Sequence, residues 1–238
     1  MKVHFQLHYG TGPGETLHVL LYREGALANE NKINIPLTNT KDDLWTGEIQ
    51  LLLDKPLRLS YHYEVRSGSD MHRRENQRVA RVLALDPGVN NYFVHDSWRD
   101  AANSEAADAF AGVTMQQREI YRAKTLPVFE RTLVLKACSV RPNEEESLWV
   151  CGSGDGLGNW DPQQAKPMQQ VAPGEWAVAL DANTLAFMAE YKLLVRPAEG
   201  NEGSVIWEEG TNRVLEDISL REKESVIYSD LRPVFAAK

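Results

Sequence analysis

The chain has 238 residues, 42% of them hydrophobic, and a net charge of −8, which suits two domains of about 100 residues each. The charge is uneven: residues 1–99 hold 12 basic and 12 acidic residues, whereas residues 100–238 hold 14 and 22. An acidic second half argues against a nucleic-acid partner, and no apolar stretch approaches the ~20 residues that a membrane-spanning helix needs.

From the start, the hydrophobic period is mostly two. His4-Phe5-Gln6-Leu7-His8-Tyr9 alternates straight from the N-terminus, without the charged and apolar regions of a signal peptide, so a cytoplasmic location is expected. Trp45-Thr46-Gly47-Glu48-Ile49 alternates too, which makes Trp45 a structural residue. Leu57 to Val65 repeats the pattern. The basic run from Arg73 and Arg74 to Arg81 is interrupted by Glu75 and apolar residues, and predicts a solvated strand and turn. An alanine-rich stretch with Ser104 and Glu105 follows, and predicts an ordered, partly helical linker over residues 98–129.

Cys138 and Cys151 lie in apolar strands, so buried reduced thiols are expected. There is no Cys-x-x-Cys, and the six histidines are scattered, so neither metal nor cofactor is expected. In the second half, Trp176 opens another alternating strand and is also expected to be structural. Short strands separated by Gly, Pro and Asn turns predict an all-β protein of two immunoglobulin-like antiparallel sandwiches.

Two tryptophans break the structural pattern. Trp160 sits in Gly156-Leu157-Gly158-Asn159-Trp160-Asp161-Pro162, a turn-forming stretch, and so belongs to a loop. Trp207 ends a short apolar run and opens the polar turn Glu208-Glu209-Gly210-Thr211-Asn212-Arg213. Lys192 lies between them in Glu190-Tyr191-Lys192. An indole face is a broad apolar plane with a negative quadrupole, suited to the C–H face of a sugar ring. Lys, Asn and Glu can fix sugar hydroxyls. The candidate binding residues are therefore Trp160, Lys192, Trp207 and Asn212, with Glu208 and Glu209 as further candidates.

The order Leu-Gly-Asn-Trp, Tyr-Lys, Trp-Glu and Asn-Arg, preceded by Leu148-Trp149-Val150-Cys151-Gly152-Ser153, resembles carbohydrate-binding module family 20, the starch-binding domain, over about residues 130–220. The resemblance implies that Trp160 and Trp207 are the stacking planes of a glucan site, with Lys192 beside them and Asn212 adding a hydrogen bond. The family's second site uses two tyrosines. The corresponding stretches, Asn143-Glu144-Glu145-Glu146 and Gln169-Gln170-Val171-Ala172, hold no aromatic, so a single glucan site is expected.

Residues 1–97 repeat the pattern weakly. Leu59-Ser60-Tyr61-His62-Tyr63-Glu64-Val65-Arg66 aligns with Ala189 to Arg196, and Ala80-Arg81-Val82-Leu83 with Asn212 to Leu215. His62 stands at the place of Lys192, and no tryptophan stands at the places of Trp160 or Trp207. Glucan binding there is expected to be weak or absent. Tyr9, Tyr22 and His62 offer an alternative contact patch, although strand tyrosines are more often structural.

The expected organisation is a degenerate sandwich over 1–97, the linker 98–129, a starch-binding sandwich over 130–222, and a lead-in over 223–238 to a C-terminal domain outside this chain. Two such modules in tandem are similar to the N-terminal region of disproportionating-enzyme-2-type 4-α-glucanotransferases of glycoside hydrolase family 77. That resemblance implies α-glucan and a C-terminal catalytic domain as partners. No catalytic motif is present, so this piece is expected to bind without catalysis. The alternative is a protein-interaction or regulatory scaffold packing on a catalytic domain or partner subunit.

Overall fold

Alternation in the first strand already separates core from surface. In β1 (Lys2–His8), Val3, Phe5 and Leu7 are buried while Lys2 and His8 face water. The structure is a computed structural model describing residues 1–23, 32–75, 81–99, 121, 124–138, 146–172, 174–197, 204–215 and 219–236. Nearly all of these are strands and turns. The chain divides into two units, Met1–Thr114 and Met115–Lys238. The predicted linker helix falls almost wholly outside the described residues.

Unit 1 continues with β2 (Glu15–Arg23), β3 (Ile33–Pro36), β4 (Thr38–Lys41), β5 (Leu44–Gln50), β6 (Leu57–Ser67), β7 (Asp70–Arg74), β8 (Arg81–Leu85) and β9 (Asn91–Ser97). One sheet has the order β9-β1-β5-β4, the other β3-β2-β6, with β7 and β8 both paired to β6. Their inner faces meet where the Phe5 and Tyr61 rings lie 5.4 Å apart. Trp45 is buried, and its indole donates to the Tyr9 carbonyl at 3.0 Å, as a structural residue should.

Unit 2 is wired in the same way. It contains β10 (Arg131–Cys138), β11 (Glu146–Gly152), β12 (Lys166–Pro167), β13 (Gln169–Ala172), β14 (Glu175–Asp181), β15 (Glu190–Pro197), β16 (Ile206–Trp207), β17 (Arg213–Val214) and β18 (Glu224–Leu231). Its sheets have the orders β13-β14-β10-β18 and β12-β11-β15-β16, with β17 also on β15. Leu133 and Leu135 from the first sheet and Leu148, Val150 and Leu193 from the second are fully buried. Lys136 and Glu175 form an ion pair at 3.0 Å, both side chains buried.

Two sequence expectations change here. The sheets are mainly antiparallel, but the first strand of each unit pairs in parallel with the last: β1 with β9, and β10 with β18. A parallel partner needs a crossover rather than a hairpin, and here the chain passes through the other sheet before it returns. The second change follows. Glu224–Leu231 is not a lead-in but an integral strand of unit 2, with Val226 and Ile227 buried. A parallel strand leaves no local turn signal in the sequence to tie it to its partner.

Arg81 overturns the reading of the basic run as solvated. β7 is exposed along its length, as expected, yet the Arg81 side chain is almost wholly buried. It donates to Glu75 through Nη2 at 2.6 Å and Nε at 3.1 Å, and its Nη1 lies 3.2 Å from Asp96. The other Asp96 oxygen accepts from the hydroxyls of Tyr61 and Tyr63, each at 2.8 Å. A buried guanidinium is tolerable because carboxylates and a backbone carbonyl surround it. Arg81→Ala should therefore destabilise unit 1 by about 3–5 kcal/mol, because it strands two buried carboxylates. Urea unfolding checks this, with Arg74→Ala expected to change stability by less than about 0.5 kcal/mol.

Candidate functional site

The outer face of the β11-β15-β16 sheet carries the candidate residues. Trp149 pairs with Leu194, Leu194 with Trp207, and Cys151 with Lys192. Directly paired residues share a face. Trp149, Cys151, Lys192, Leu194 and Trp207 therefore line one side, while Leu148, Val150, Leu193 and Val195 face the core. Cys151, Leu194 and Ala165 form a small buried cluster on which the half-buried Trp149 and Trp207 rest. Arg196 covers the Trp149 ring at 4.4 Å and donates to the Pro162 carbonyl at 2.7 Å. Both cysteines are buried and neither is in a disulfide, and burial pushes the Cys151 thiol pKa up.

The loop after β11 brings in Trp160. Gly152 is required where the strands touch, since a Cβ there would collide with the backbone of Glu190 and Tyr191. Gly158 has φ 82°, and a Cβ there would lie 2.6 Å from the Gln164 carbonyl oxygen. Asn159 and Trp160 then take φ values of 51° and 60°. A left-handed conformation costs a non-glycine residue roughly 1–2 kcal/mol. Hydrogen bonds offset the strain: Asn159 N–H donates to Gly154 at 3.0 Å and Trp160 N–H to Gly152 at 2.8 Å. The Asn159 side chain donates to Asp155. This turn sets the Trp160 and Trp207 ring centroids 6.1 Å apart, with the planes inclined at 44°.

The turn after Trp207 holds the remaining candidates. Lys192 Nζ donates to the carbonyls of Glu208 at 2.9 Å and Gly210 at 2.7 Å. An ammonium has three N–H donors, so one remains for a ligand oxygen. Glu209 is exposed. Asn212 is also exposed, and its amide nitrogen donates to Glu190 at 2.9 Å, which leaves the amide oxygen as an acceptor.

Glu208 is not placed to meet a sugar. Its side chain is only 2% exposed. Its carboxylate accepts from Leu193 N–H at 2.7 Å and from Arg213 Nε at 3.0 Å and Nη2 at 2.9 Å. Its own N–H donates to the Leu193 carbonyl at 2.9 Å. The side chain thus stands in for the next rung of the sheet ladder. Burial works to lower the Arg213 pKa, but the hydrogen bonds and charge of Glu208 outweigh it and leave it raised.

Unit 1 has the same lock with different chemistry outside it. Tyr63 N–H donates to the Glu75 carboxylate at 3.1 Å, Glu75 N–H to the Tyr63 carbonyl at 3.1 Å, and Arg81 binds Glu75. The register places Arg74 opposite Glu64 as Trp207 is opposite Leu194, and His18 opposite Glu64 as Trp149 is opposite Leu194. A charged strip replaces the apolar platform. Tyr9, Tyr22 and His62 are engaged separately: Tyr9 stacks on Trp98 at 4.3 Å, while Tyr22 meets His62 edge-on at 5.8 Å. His62 is itself buried. The loop at the place of Trp160 lies outside the described residues.

Sequence reading missed Trp149, whose signal was available as the odd member between buried Leu148 and Val150. Removing Glu208 tests the lock. Glu208→Ala should destabilise unit 2 by about 2–4 kcal/mol, since a buried N–H and a guanidinium lose their acceptor. Glu209→Ala should stay within about 0.5 kcal/mol, both read by urea unfolding.

Comparison with known proteins bears on unit 2. Residues 132–226 match the family model described as starch binding domain, CBM_20. No curated protein sequence matches the chain. Among solved structures, a glycoside hydrolase family 15 glucoamylase from Hypocrea jecorina is 20% identical at TM-score 0.38, covering 43% of this chain and 17% of its own. The gamma-CGTase from alkalophilic Bacillus clarkii is 15% identical at TM-score 0.37, covering 94% of this chain and 24% of its own. The family 20 CBM of a maltotetraose-forming amylase from Pseudomonas saccharophila STB07 is 18% identical at TM-score 0.32, covering 41% of this chain and 98% of its own. The chain thus spans a quarter or less of the glucoamylase and the CGTase. The segment that matches the starch-binding domain family, CBM_20, is the one that carries the two-tryptophan face.

Proposed function

We propose that unit 2 binds α-1,4-glucan without catalysis, as starch, glycogen or malto-oligosaccharide. The observation that carries this reading is the pair Trp160 and Trp207, 6.1 Å apart and inclined at 44°. Two inclined planes suit neighbouring rings of a curved chain better than a flat one. Stacking supplies affinity, and Lys192, Asn212 and Glu209 supply hydroxyl contacts. A neutral polymer needs no opposite charge, which fits an acidic protein.

The parent of this region is read as a cytoplasmic 4-α-glucanotransferase. Support comes from the resemblance of a tandem pair to the N-terminal region of that enzyme class, together with the common wiring and common Glu–Arg lock of the two units. Such a module would tether the catalytic domain to its polymer and raise the effective substrate concentration. The charged strip on unit 1, with Arg74 at the register position of Trp207, favours a packing or scaffold role for that unit.

Affinity electrophoresis in amylopectin tests the reading. The wild-type chain should be retarded. Trp160→Ala and Trp207→Ala should each weaken binding by about tenfold, the value of roughly one stacking contact, with circular dichroism unchanged. Wild-type mobility equal to that in a sugar-free gel would favour the scaffold.

A further inference from the structure

The outer strip of β15 does not end at the glucan candidates. Going toward its N-terminal end, Leu194 meets Trp207, Lys192 meets the Gly210 carbonyl, and Glu190 meets Asn212. Val214 pairs directly with Glu190, so both lie on the same outer face. Val214 is 39% exposed. Two residues beyond Glu190 the chain turns, with Ala189 N–H donating to Ala186 at 3.3 Å. At the tip of that turn are Phe187, 81% exposed, and Met188, 47% exposed.

This apolar tip is unusual on two counts. A phenylalanine this exposed contributes nothing to the core. Met188 also has φ 57°, a conformation that glycine would adopt without strain. Strain of this kind, held at a surface and joined to unpaid apolar exposure, points to a use. The tip leads directly into β15, the strand that carries Lys192 and Leu194. From Lys192 to Met188 is four residues, at most roughly 13 Å of extended chain.

We infer that Phe187, Met188 and Val214 form an apolar extension of the glucan face, taking further glucose rings of a chain already seated on Trp160 and Trp207. The inference rests on the reading of unit 2 as a glucan binder and adds chain-length preference to it. The ligand class follows from the surfaces: aromatic and apolar side chains on a strip bordered by Glu190 and Asn212 suit rings that are apolar on their faces and polar at their rims. On this proposal, a short oligosaccharide seated on the tryptophan pair leaves the tip unfilled, and a longer one covers it.

Calorimetric titration with maltotriose and with maltoheptaose tests this in the wild type, Phe187→Ser and Trp160→Ala. The substituted side chain is at the surface, so the fold should persist, and circular dichroism verifies it. The expected result is that Phe187→Ser leaves maltotriose affinity within about twofold and weakens maltoheptaose by about three- to tenfold, the range of one aromatic contact. Trp160→Ala should weaken both. Equal affinities of Phe187→Ser and wild type for maltoheptaose would overturn the extension while leaving the tryptophan site standing. Equal losses for both sugars would overturn it as well. Failure of the wild type to bind either sugar would remove the parent reading and the extension with it. Sedimentation gives a further check: a dimer in the wild type that Phe187→Ser dissolves would assign the tip to self-association and overturn the proposal.

Discussion

The Glu208 carboxylate, shared between the Leu193 N–H and the Arg213 guanidinium, is the contact on which the candidate two-tryptophan face depends. β16 contains only Ile206 and Trp207. Beyond it the backbone leaves the sheet, and a buried N–H would be left unpaired without a substitute acceptor. Glu208 supplies it. That fixes where the 208–212 turn begins and therefore where its carbonyls point. Lys192 can then tie the turn from below through Glu208 and Gly210. Trp207 sits one residue before the lock, held on the Cys151–Ala165–Leu194 cluster.

Against this fixed plane the second plane is adjustable only in principle. Trp160 comes from a loop whose geometry is dictated by glycines that cannot carry a Cβ and by two residues held left-handed. Their strain is outweighed by a closed set of backbone hydrogen bonds. A rigid loop of this kind loses little conformational entropy on binding, which matters for a shallow face that gains only a few contacts. The result is a preorganised wedge between two indoles rather than a pocket that closes on its ligand.

Much of this was legible in the sequence. Period-two alternation marked the strands, and the turn residues around Trp160 separated it from Trp45, which is buried. The aligned pair Arg81 and Arg213 proved to be one structural position: Arg81 lies opposite Tyr61 in the ladder, and Arg213 opposite Tyr191. What remained illegible was long-range. Nothing local distinguishes Glu208, turned inward, from Glu209, turned outward, because the choice depends on which backbone N–H lacks a partner in a strand fifteen residues away. The place of β18 was hidden for a related reason, since its partner β10 is reached by parallel pairing across the whole unit. Arg81 looked solvated because its carboxylate partners come from Glu75 and Asp96, on either side of β8.

Stoichiometry by titration calorimetry with maltoheptaose tests the central claim most directly. A single wedge formed by Trp160 and Trp207 predicts saturation at one sugar per chain, and an affinity about tenfold weaker once either indole is removed. Two sugars per chain, or a single sugar still bound with unchanged affinity when Trp160 is replaced by alanine, would contradict the account.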